Sequence, residues 1–249
     1  YLVYYVASGY IAGLIGSINF IKGQARYSWQ NGAQANDMLG SHIHPMTGFL
    51  KRVIDIVGAS LGLMLTAPLL PFLALVIKLT SPGPVIYKQK RVGLMTEDNM
   101  NIFEMYKFRS MRNDAEKHTG AVWAEEDDPR LTAVGKFMRK TRLDEIPQFI
   151  NVLKGDMSLI GPRPERPSIA NNLEEEIPFY YERTYGISPG ITGLAQVYQG
   201  YDQNLDDVRN KLNYDLAYSL SLSRPADWIK MECQIIFKTI WVMICGRGQ

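Results

Sequence analysis

One apolar run limits what this chain can fold into more than any other feature of its sequence. Residues 53–77 form 25 consecutive positions in which the only charge is Asp55, close to the start. A run of this length and composition is typical of a helix in a lipid bilayer. Pro68 and Pro71 lie within it, and proline inside a helix removes a hydrogen-bond donor and bends the helix. The sequence therefore predicts two apolar helical pieces separated by a break.

Basic residues flank this run on both sides. Lys51 and Arg52 precede it, and a series of Lys and Arg residues follows from Lys78 onward. Spanning segments usually carry their Lys and Arg excess on the cytoplasmic side alone. The piece before Pro68 is also only about 22 Å long, which is shorter than a hydrocarbon core of roughly 30 Å. Both observations favour a re-entrant helix-break-helix hairpin over residues 49–80, with an ordinary kinked span as the alternative.

The remaining chain divides at this hairpin. Residues 1–22 are uncharged before Lys22 and have about the length of a membrane span, so we expect a membrane helix there, with a buried soluble helix as the alternative. Because the chain begins at Tyr1 rather than at a methionine, we expect further sequence upstream. Residues 23–48 are rich in Gly, Gln, Asn and Ser and predict a linker. Residues 81–249 predict a soluble domain.

Charge balance and cysteine spacing exclude several classes of protein. The chain has 27 Lys and Arg against 25 Asp and Glu, a net charge of +2, which is too balanced for a nucleic-acid binder that depends on bulk charge. Cys233 and Cys245 form no CxxC pair, which excludes a disulfide scaffold and disfavours a zinc site. Neither GxxxxGK[ST] nor GxGxxG occurs, which disfavours P-loop and Rossmann enzymes.

Within the soluble domain, two local patterns predict structure. Residues 85–90 and 101–110 alternate apolar and polar positions around a polar segment, which predicts a β-hairpin. Lys107 in its second strand belongs either to a solvated face or to a phosphate contact. Residues 228–244 are apolar with tryptophan near both ends, which favours an interfacial amphipathic helix, with a core helix as the alternative.

Residues 135–164 carry the strongest chemical signal. Asp144 and Glu145 follow a group of cations and precede Pro147, which is tolerated in the first turn of a helix. The two carboxylates should therefore lie at or just before a helix N-terminus, where phosphate binds readily. Helix capping with surface ion pairs is the alternative explanation. Arg163, held between two prolines, favours phosphate chemistry because its guanidinium presents a fork of donors.

The run RKTRLDEIPQFINVLKGDMSLIGPRP resembles the signature of the bacterial monotopic phosphoglycosyl transferases, which are polyprenyl-phosphate sugar-1-phosphate transferases. The resemblance covers residues 49–249 and includes KRVIDIVGASLG, YKQKRVG, MYKFRSM and PGITGLAQV in the same order. It implies an α+β, helix-dominated, monotopic protein of the bacterial inner membrane. The re-entrant hairpin would hold a small catalytic domain, residues 81–249, on the cytoplasmic face.

The resemblance also implies a reaction and its partners. A sugar 1-phosphate would pass from a UDP-sugar donor to undecaprenyl phosphate at the membrane lipid surface, with release of UMP. Asp144 would be the nucleophile that carries the phosphosugar, and Glu145 would hold Mg²⁺. Upstream helices would support a homodimer. The substrate-binding candidates are Arg139, Arg163, Lys107 and Asp156.

Two positions depart from the family pattern, and two other classes of function stay open. Ala67 precedes Pro68 where serine is frequent, and Arg142 stands where a small residue is frequent before the Leu-Asp-Glu segment. A non-catalytic scaffold of a polysaccharide assembly complex would explain the membrane segments. A membrane phosphatase acting on lipid pyrophosphates would explain the cations and carboxylates. Production of UMP separates the transferase from both.

Overall fold

Helices dominate the part of the chain that is described by the computed structural model, residues 43–96, 99–112, 115, 128–200 and 204–245. The predicted membrane helix of residues 1–22 and most of the predicted linker lie outside these ranges. The helices are α1 (Pro45–Thr66), α2 (Leu70–Thr80), α3 (Ala133–Lys140), α4 (Gln148–Lys154), α5 (Pro167–Glu176), α6 (Leu194–Tyr198), α7 (Leu205–Ser221) and α8 (Pro225–Ile244). The strands are β1 (Ile86–Met95), β2 (Met100–Phe108), β3 (Ser158–Ile160) and β4 (Gly190–Thr192). The predicted α+β, helix-dominated class is confirmed.

The apolar run folds as two helices joined end to end by a single 3-10 turn. This turn, Ala67–Leu69, contains Pro68, where the sequence predicts the break. The Thr66 hydroxyl donates a hydrogen bond to the Gly62 carbonyl at 2.7 Å. Although Ala67 has no hydroxyl, the hydroxyl of the preceding residue, Thr66, therefore forms a hydrogen bond with the backbone next to the break.

Helices α1 and α2 together form the one helical segment in the described ranges that is long and apolar enough to cross a membrane. The segment Pro45–Thr80 has 36 residues, with mean hydropathy 2.1 in its most apolar window and only 11% of that window buried. Large side chains such as Leu65 and Leu79 are 76% and 78% exposed. Exposed apolar area on this scale indicates membrane association.

Helix α1 begins inside the predicted linker. His44 Nδ1 accepts a hydrogen bond from the Met46 backbone at 3.2 Å, and Pro45 occupies the first turn, where no backbone donor is required. Residues 45–48 are therefore helical, and the predicted boundary between residues 48 and 49 falls within α1.

The basic residues before the apolar run attach α1 to the soluble domain. Lys51 Nζ donates to the Ile160 carbonyl at 2.8 Å and lies 3.1 Å from Glu232 Oε1. Arg52 donates to the Val152 carbonyl at the end of α4, at 2.7 Å. These two cations, which serve as topology signals in the sequence, are thus also packing contacts.

Asp55 makes a third attachment. Its Oδ1 accepts hydrogen bonds from the Leu159 backbone at 2.8 Å and from the Ser158 hydroxyl at 2.9 Å, both on β3. The carboxylate is buried, and it is the only charge in the apolar run of residues 53–77. Strand β3 is therefore held directly by α1, the first of the two apolar helices.

The predicted β-hairpin is confirmed, although its first strand is longer than expected. Strands β1 and β2 pair antiparallel from Ile86 opposite Phe108 to Met95 opposite Met100, with an irregularity between Val92 and Met95. The Val92 side chain is buried, and its backbone N–H donates to the Glu165 carbonyl at 2.9 Å. This distant contact extends β1 through a segment whose polar sequence predicts a turn.

Strands β3 and β4 form a parallel pair with Ser158 opposite Gly190. A Cβ atom on Gly190 would lie 2.1 Å from the backbone nitrogen of Gly161, so only glycine permits this close approach. The Gly190 N–H donates to the Pro162 carbonyl at 2.9 Å. The pairing fixes the segment that leads to Arg163.

Helix α8 combines the two predicted alternatives. Trp228 and Ile235 are buried in the main core, as the core-helix alternative predicts. On the other face, Phe237 is 81% exposed and Trp241 is 64% exposed. One face of α8 is a core face and the other is an exposed apolar stripe.

We predict that Asp55→Ala lowers the free energy of unfolding by about 2–3 kcal/mol, because two donors on β3 lose a buried charged acceptor. Asp55→Asn keeps one carbonyl oxygen and should lose less. Denaturant unfolding of the detergent-solubilised chain measures both, with the exposed Asp206→Asn as the control. Equal stability of Asp55→Ala and the unsubstituted chain would contradict this prediction.

Candidate active site

Asp144 and Glu145 lie in a 3-10 turn, Leu143–Glu145, that directly precedes α4. Pro147 occupies the N-cap position of α4, so the predicted position of both carboxylates just before a helix is confirmed. Both side chains are buried. The sequence thus places two carboxylates inside the protein, where ionised groups need compensating partners.

Arg142 has a left-handed backbone conformation just before the two carboxylates. Its φ is +58°, in the left-handed region that favours small residues and glycine above all. Its guanidinium Nη1 lies 3.8 Å from Glu145 Oε1. Arg142 therefore makes the sharp turn before the two carboxylates and adds positive charge beside one of them.

Glu145 forms a close ion pair with Lys107 of β2. Lys107 Nζ lies 2.8 Å from Glu145 Oε1, and the side chains are 18% and 11% exposed. Burial opposes ionisation of Glu145, but Lys107 and Arg163 outweigh it and lower the pKa of Glu145 to about 2. Burial lowers the pKa of Lys107, and Glu145 opposes that shift. Glu145 is therefore ionised at neutral pH.

Asp144 is in a different electrostatic state from its neighbour. Burial raises the pKa of the Asp144 carboxyl, Lys107 opposes the shift, and the charge of Glu145 adds to it. Its buried Oδ1 has no hydrogen-bond partner within the described ranges. Adjacent carboxylates with divergent environments suit different chemical roles. An oxygen without a hydrogen-bond partner suits a nucleophile.

A small open pocket lies beside Glu145. Several cations in its wall give it an environment suited to an anion, and phosphate is the anion that arginine and lysine most often bind in such sites. The residues that line it are Arg91, Met105, Lys107, Glu145, Gln148, Arg163, Pro164, Gly190 and Ile191.

The fold brings most of the predicted site residues together. Lys107, Glu145 and Arg163 line the pocket. Arg139 lies at the end of α3, where its Nε donates to the Ser110 hydroxyl at 3.2 Å and its charge acts on Asp144. Arg139 is outside the pocket wall but close to the carboxylate that is the predicted nucleophile.

Asp156 lies elsewhere, beyond the C-terminal end of α4. Its Oδ2 accepts a hydrogen bond from Asn151 Nδ2 at 3.0 Å and lies 3.1 Å from Lys154 Nζ. It is not among the residues that line the pocket. Its contacts belong to the packing of α4, and its substrate-binding role stays a prediction.

Arg163 is positioned through its backbone. Arg183 donates from Nη2 to the Arg163 carbonyl, and its Nε lies 3.3 Å from the buried Asp215 carboxylate on α7. Arg183 Nη1 also donates to the Tyr180 hydroxyl at 2.6 Å. A buried ion pair thus fixes the rigid segment that presents Arg163 to the pocket.

Sequence reasoning missed two polar side chains of the pocket wall, those of Arg91 and Gln148. Burial lowers the pKa of Arg91 to about 10, with Glu165 opposing the shift, so Arg91 is still a cation at neutral pH. Arg91 lies in the YKQKRVG motif, and Gln148 follows Glu145 by three residues. That helical spacing puts Gln148 near the carboxylates and was the signal that could have identified it.

The carboxylates have the donor chemistry that Mg²⁺ prefers. Within the described ranges, no group of three or more His, Cys, Asp or Glu side chains forms a ready-made metal site. Magnesium is commonly held by one or two carboxylates together with substrate phosphates. Ionised Glu145 and the unpaired oxygen of Asp144 therefore fit Mg²⁺ when a phosphate completes the set.

We predict that Lys107→Met lowers the free energy of unfolding by about 3 kcal/mol, because Glu145 loses its close partner and becomes a buried, poorly compensated charge. The double variant Lys107→Met/Glu145→Gln should recover most of this loss. Denaturant unfolding of both single variants and the double variant measures the coupling. Additive effects of the two substitutions would show that the pair is not coupled.

The similarities of the chain to known proteins agree with this site. The bacterial sugar transferase family matches residues 46–246. An Aeromonas hydrophila protein named UDP-N-acetylgalactosamine-undecaprenyl-phosphate N-acetylgalactosaminephosphotransferase is 46% identical over 85% of this chain and 48% of its own length. The UDP-glucose:undecaprenyl-phosphate glucose-1-phosphate transferase of Escherichia coli (strain K12) is 37% identical over 87% of this chain and 45% of its own length.

A third relative is matched over nearly all of its own length. The exopolysaccharide production protein PSS of Rhizobium leguminosarum bv. phaseoli is 40% identical over 77% of this chain and 93% of the relative. The chain spans about half the length of the Aeromonas and Escherichia proteins. Because the family match covers most of the chain, including both apolar helices, both carboxylates and the pocket, the chain belongs to the bacterial sugar transferase family.

Proposed function

We propose that this protein transfers a sugar 1-phosphate from a UDP-sugar to undecaprenyl phosphate and releases UMP. The observation that carries the proposal is the buried Asp144, whose Oδ1 has no hydrogen-bond partner in the described ranges, next to a pocket lined by cations. The names of the Aeromonas and Escherichia relatives support the same donor and acceptor classes.

The proposed reaction has two displacements at one phosphorus atom. In the first, an Asp144 oxygen attacks the phosphorus that carries the sugar, and the bond from that phosphorus to the bridging oxygen breaks. The electron pair leaves with UMP, and an aspartyl phosphosugar forms. In the second, an oxygen of undecaprenyl phosphate attacks the same phosphorus. The bond to Asp144 breaks, which restores the carboxylate and forms undecaprenyl diphosphate sugar.

Charge near the pocket suits this chemistry. Lys107 and Arg163 line the pocket and would stabilise negative charge on the diphosphate and on departing UMP. Glu145 and Asp144 would hold Mg²⁺, which when bound neutralises phosphate charge. Arg139 would orient the phosphate next to Asp144.

We also propose that α1 and α2 form a re-entrant hairpin and that residues 81–249 lie on the cytoplasmic face of the inner membrane. Both ends of the hairpin contact the same domain: the His44 backbone donates to the Leu222 carbonyl, and Arg109 donates to the Ser81 carbonyl. The exposed stripe of α8 that includes Phe237 and Trp241 would rest in the lipid interface.

Asp144→Asn should abolish UMP release, because an amide is a poor nucleophile and cannot form the acyl phosphate. The measurement is UMP released from a panel of UDP-sugars by the purified full chain with Mg²⁺ and undecaprenyl phosphate. The exposed Asp206→Asn is the matched control and should retain activity. UMP release by Asp144→Asn at the unsubstituted rate would exclude Asp144 as the nucleophile. Free phosphate from lipid pyrophosphates without UMP would favour a phosphatase instead.

The topology makes a separate prediction. In a variant with Cys233 and Cys245 replaced by serine, single cysteines introduced as Met46→Cys and Pro82→Cys should react with a membrane-impermeant maleimide from the same side. A re-entrant hairpin keeps both ends on the side of the soluble domain, whereas a kinked span separates them. Labelling of right-side-out and inverted vesicles measures the side. Labelling from opposite sides would rule out the hairpin.

A further inference from the structure

Gln148 is a buried polar residue of the pocket to which the proposed reaction assigns no role. It is 3% exposed and lines the pocket with Lys107 and Glu145. Its carboxamide forms no hydrogen bond with any residue in the described ranges. Buried amides in folded proteins are nearly always hydrogen-bonded, so a buried amide at a pocket wall without a protein partner points to a ligand.

The next polar residue on the same helix shows how a structural amide behaves. Asn151, one turn further along α4, is fully buried, and its carboxamide is satisfied by the protein. Its Oδ1 accepts from the Tyr106 backbone at 2.9 Å, and its Nδ2 donates to the Glu104 carbonyl at 2.7 Å and to Asp156. Asn151 thus joins α4 to β2, whereas Gln148 makes no comparable connection.

The chemistry of the pocket limits what Gln148 can bind. The cations Arg91, Lys107 and Arg163 stand against one carboxylate, Glu145, so the wall favours an anion. A carboxamide supplies two N–H donors without adding charge, which suits a phosphate oxygen that the cations attract. Gln148 begins α4, and the 3-10 turn that contains the proposed nucleophile Asp144 lies just before this helix.

We infer that Gln148 is a substrate-contacting residue whose Nε2 donates a hydrogen bond to a non-bridging phosphate oxygen bound in this pocket. The inference rests on the proposed function and deepens it by naming a residue that binds the substrate phosphate. Two substrates carry such an oxygen, the nucleotide donor and the lipid phosphate acceptor. The hydrogen bond forms with one of them, and the kinetics identify which.

The test compares Gln148→Met, which keeps the side-chain length but removes the donor, with Gln148→Glu, which places a carboxylate beside the phosphate. The full chain is assayed in lipid nanodiscs for KM and kcat with each substrate varied in turn, and UMP binding is measured by calorimetry. We expect Gln148→Met to lower kcat/KM about 10- to 100-fold, as for a hydrogen bond to a charged group. Gln148→Glu should lose more, since it adds repulsion.

The outcomes separate the inference from the proposed function. A raised KM for the donor with weaker UMP binding assigns the contact to the nucleotide, and a raised KM for undecaprenyl phosphate alone assigns it to the lipid phosphate. Gln148→Met should unfold at the same temperature as the unsubstituted chain. The control Gln234→Met changes a residue outside the pocket wall and should keep the kinetics of the unsubstituted chain. Unchanged KM and kcat in Gln148→Met would overturn the inference while leaving the transferase intact. Absence of UMP binding and UMP release in the unsubstituted chain would overturn both.

Discussion

The attachment of α1 to the soluble domain through its polar residues is the constraint on which the rest of the structure depends. Charged side chains are expensive in lipid, and they are retained in an apolar helix where they have partners. Here Arg52 bonds the end of α4, and Asp55 bonds β3. Helix α4 follows the two site carboxylates, and β3 leads to Arg163. The helix that begins the apolar segment therefore holds both elements that build the pocket.

The second constraint is the difference in charge environment between the adjacent carboxylates Asp144 and Glu145. Glu145 has Lys107 at 2.8 Å and is strongly ionised, whereas Asp144 has an unpartnered oxygen and a raised pKa. Burial acts on both in the same direction, so the difference comes from the placement of the cations and from the charge of Glu145, which raises the pKa of Asp144 further. The left-handed residue Arg142 directly precedes the 3-10 turn that holds both carboxylates. Glu145 is thus fixed in an ion pair, whereas Asp144 keeps an oxygen that has no hydrogen-bond partner in the described ranges.

Local patterns were sufficient for much of the fold and for part of the site. Pro68 marked the helix break, and Pro147 marked the position of the carboxylates, because proline acts on its immediate neighbours. The participation of Arg91 in the pocket could not be read in the same way, since it depends on β1 packing against a segment more than 70 residues away. Burial of Trp228 likewise follows from the packing of α8 against α7 and β3, which hydropathy does not encode.

The unbroken length of α8 has a consequence for how its two faces are related. Trp228 and Glu232 are fixed in the core, the latter accepting hydrogen bonds from Tyr218 and from Trp228 itself. Phe237 follows Trp228 by nine residues, or about two and a half turns, and so points in the opposite direction. Because Trp228 is fixed in the core, it sets the direction in which the exposed stripe of α8 faces. A one-residue insertion after Ile235 would turn the part of the stripe that follows it, including Phe237 and Trp241, by about 100°. The core contacts of Trp228, Glu232 and Ile235 would stay in place while that part of the apolar face pointed in a different direction.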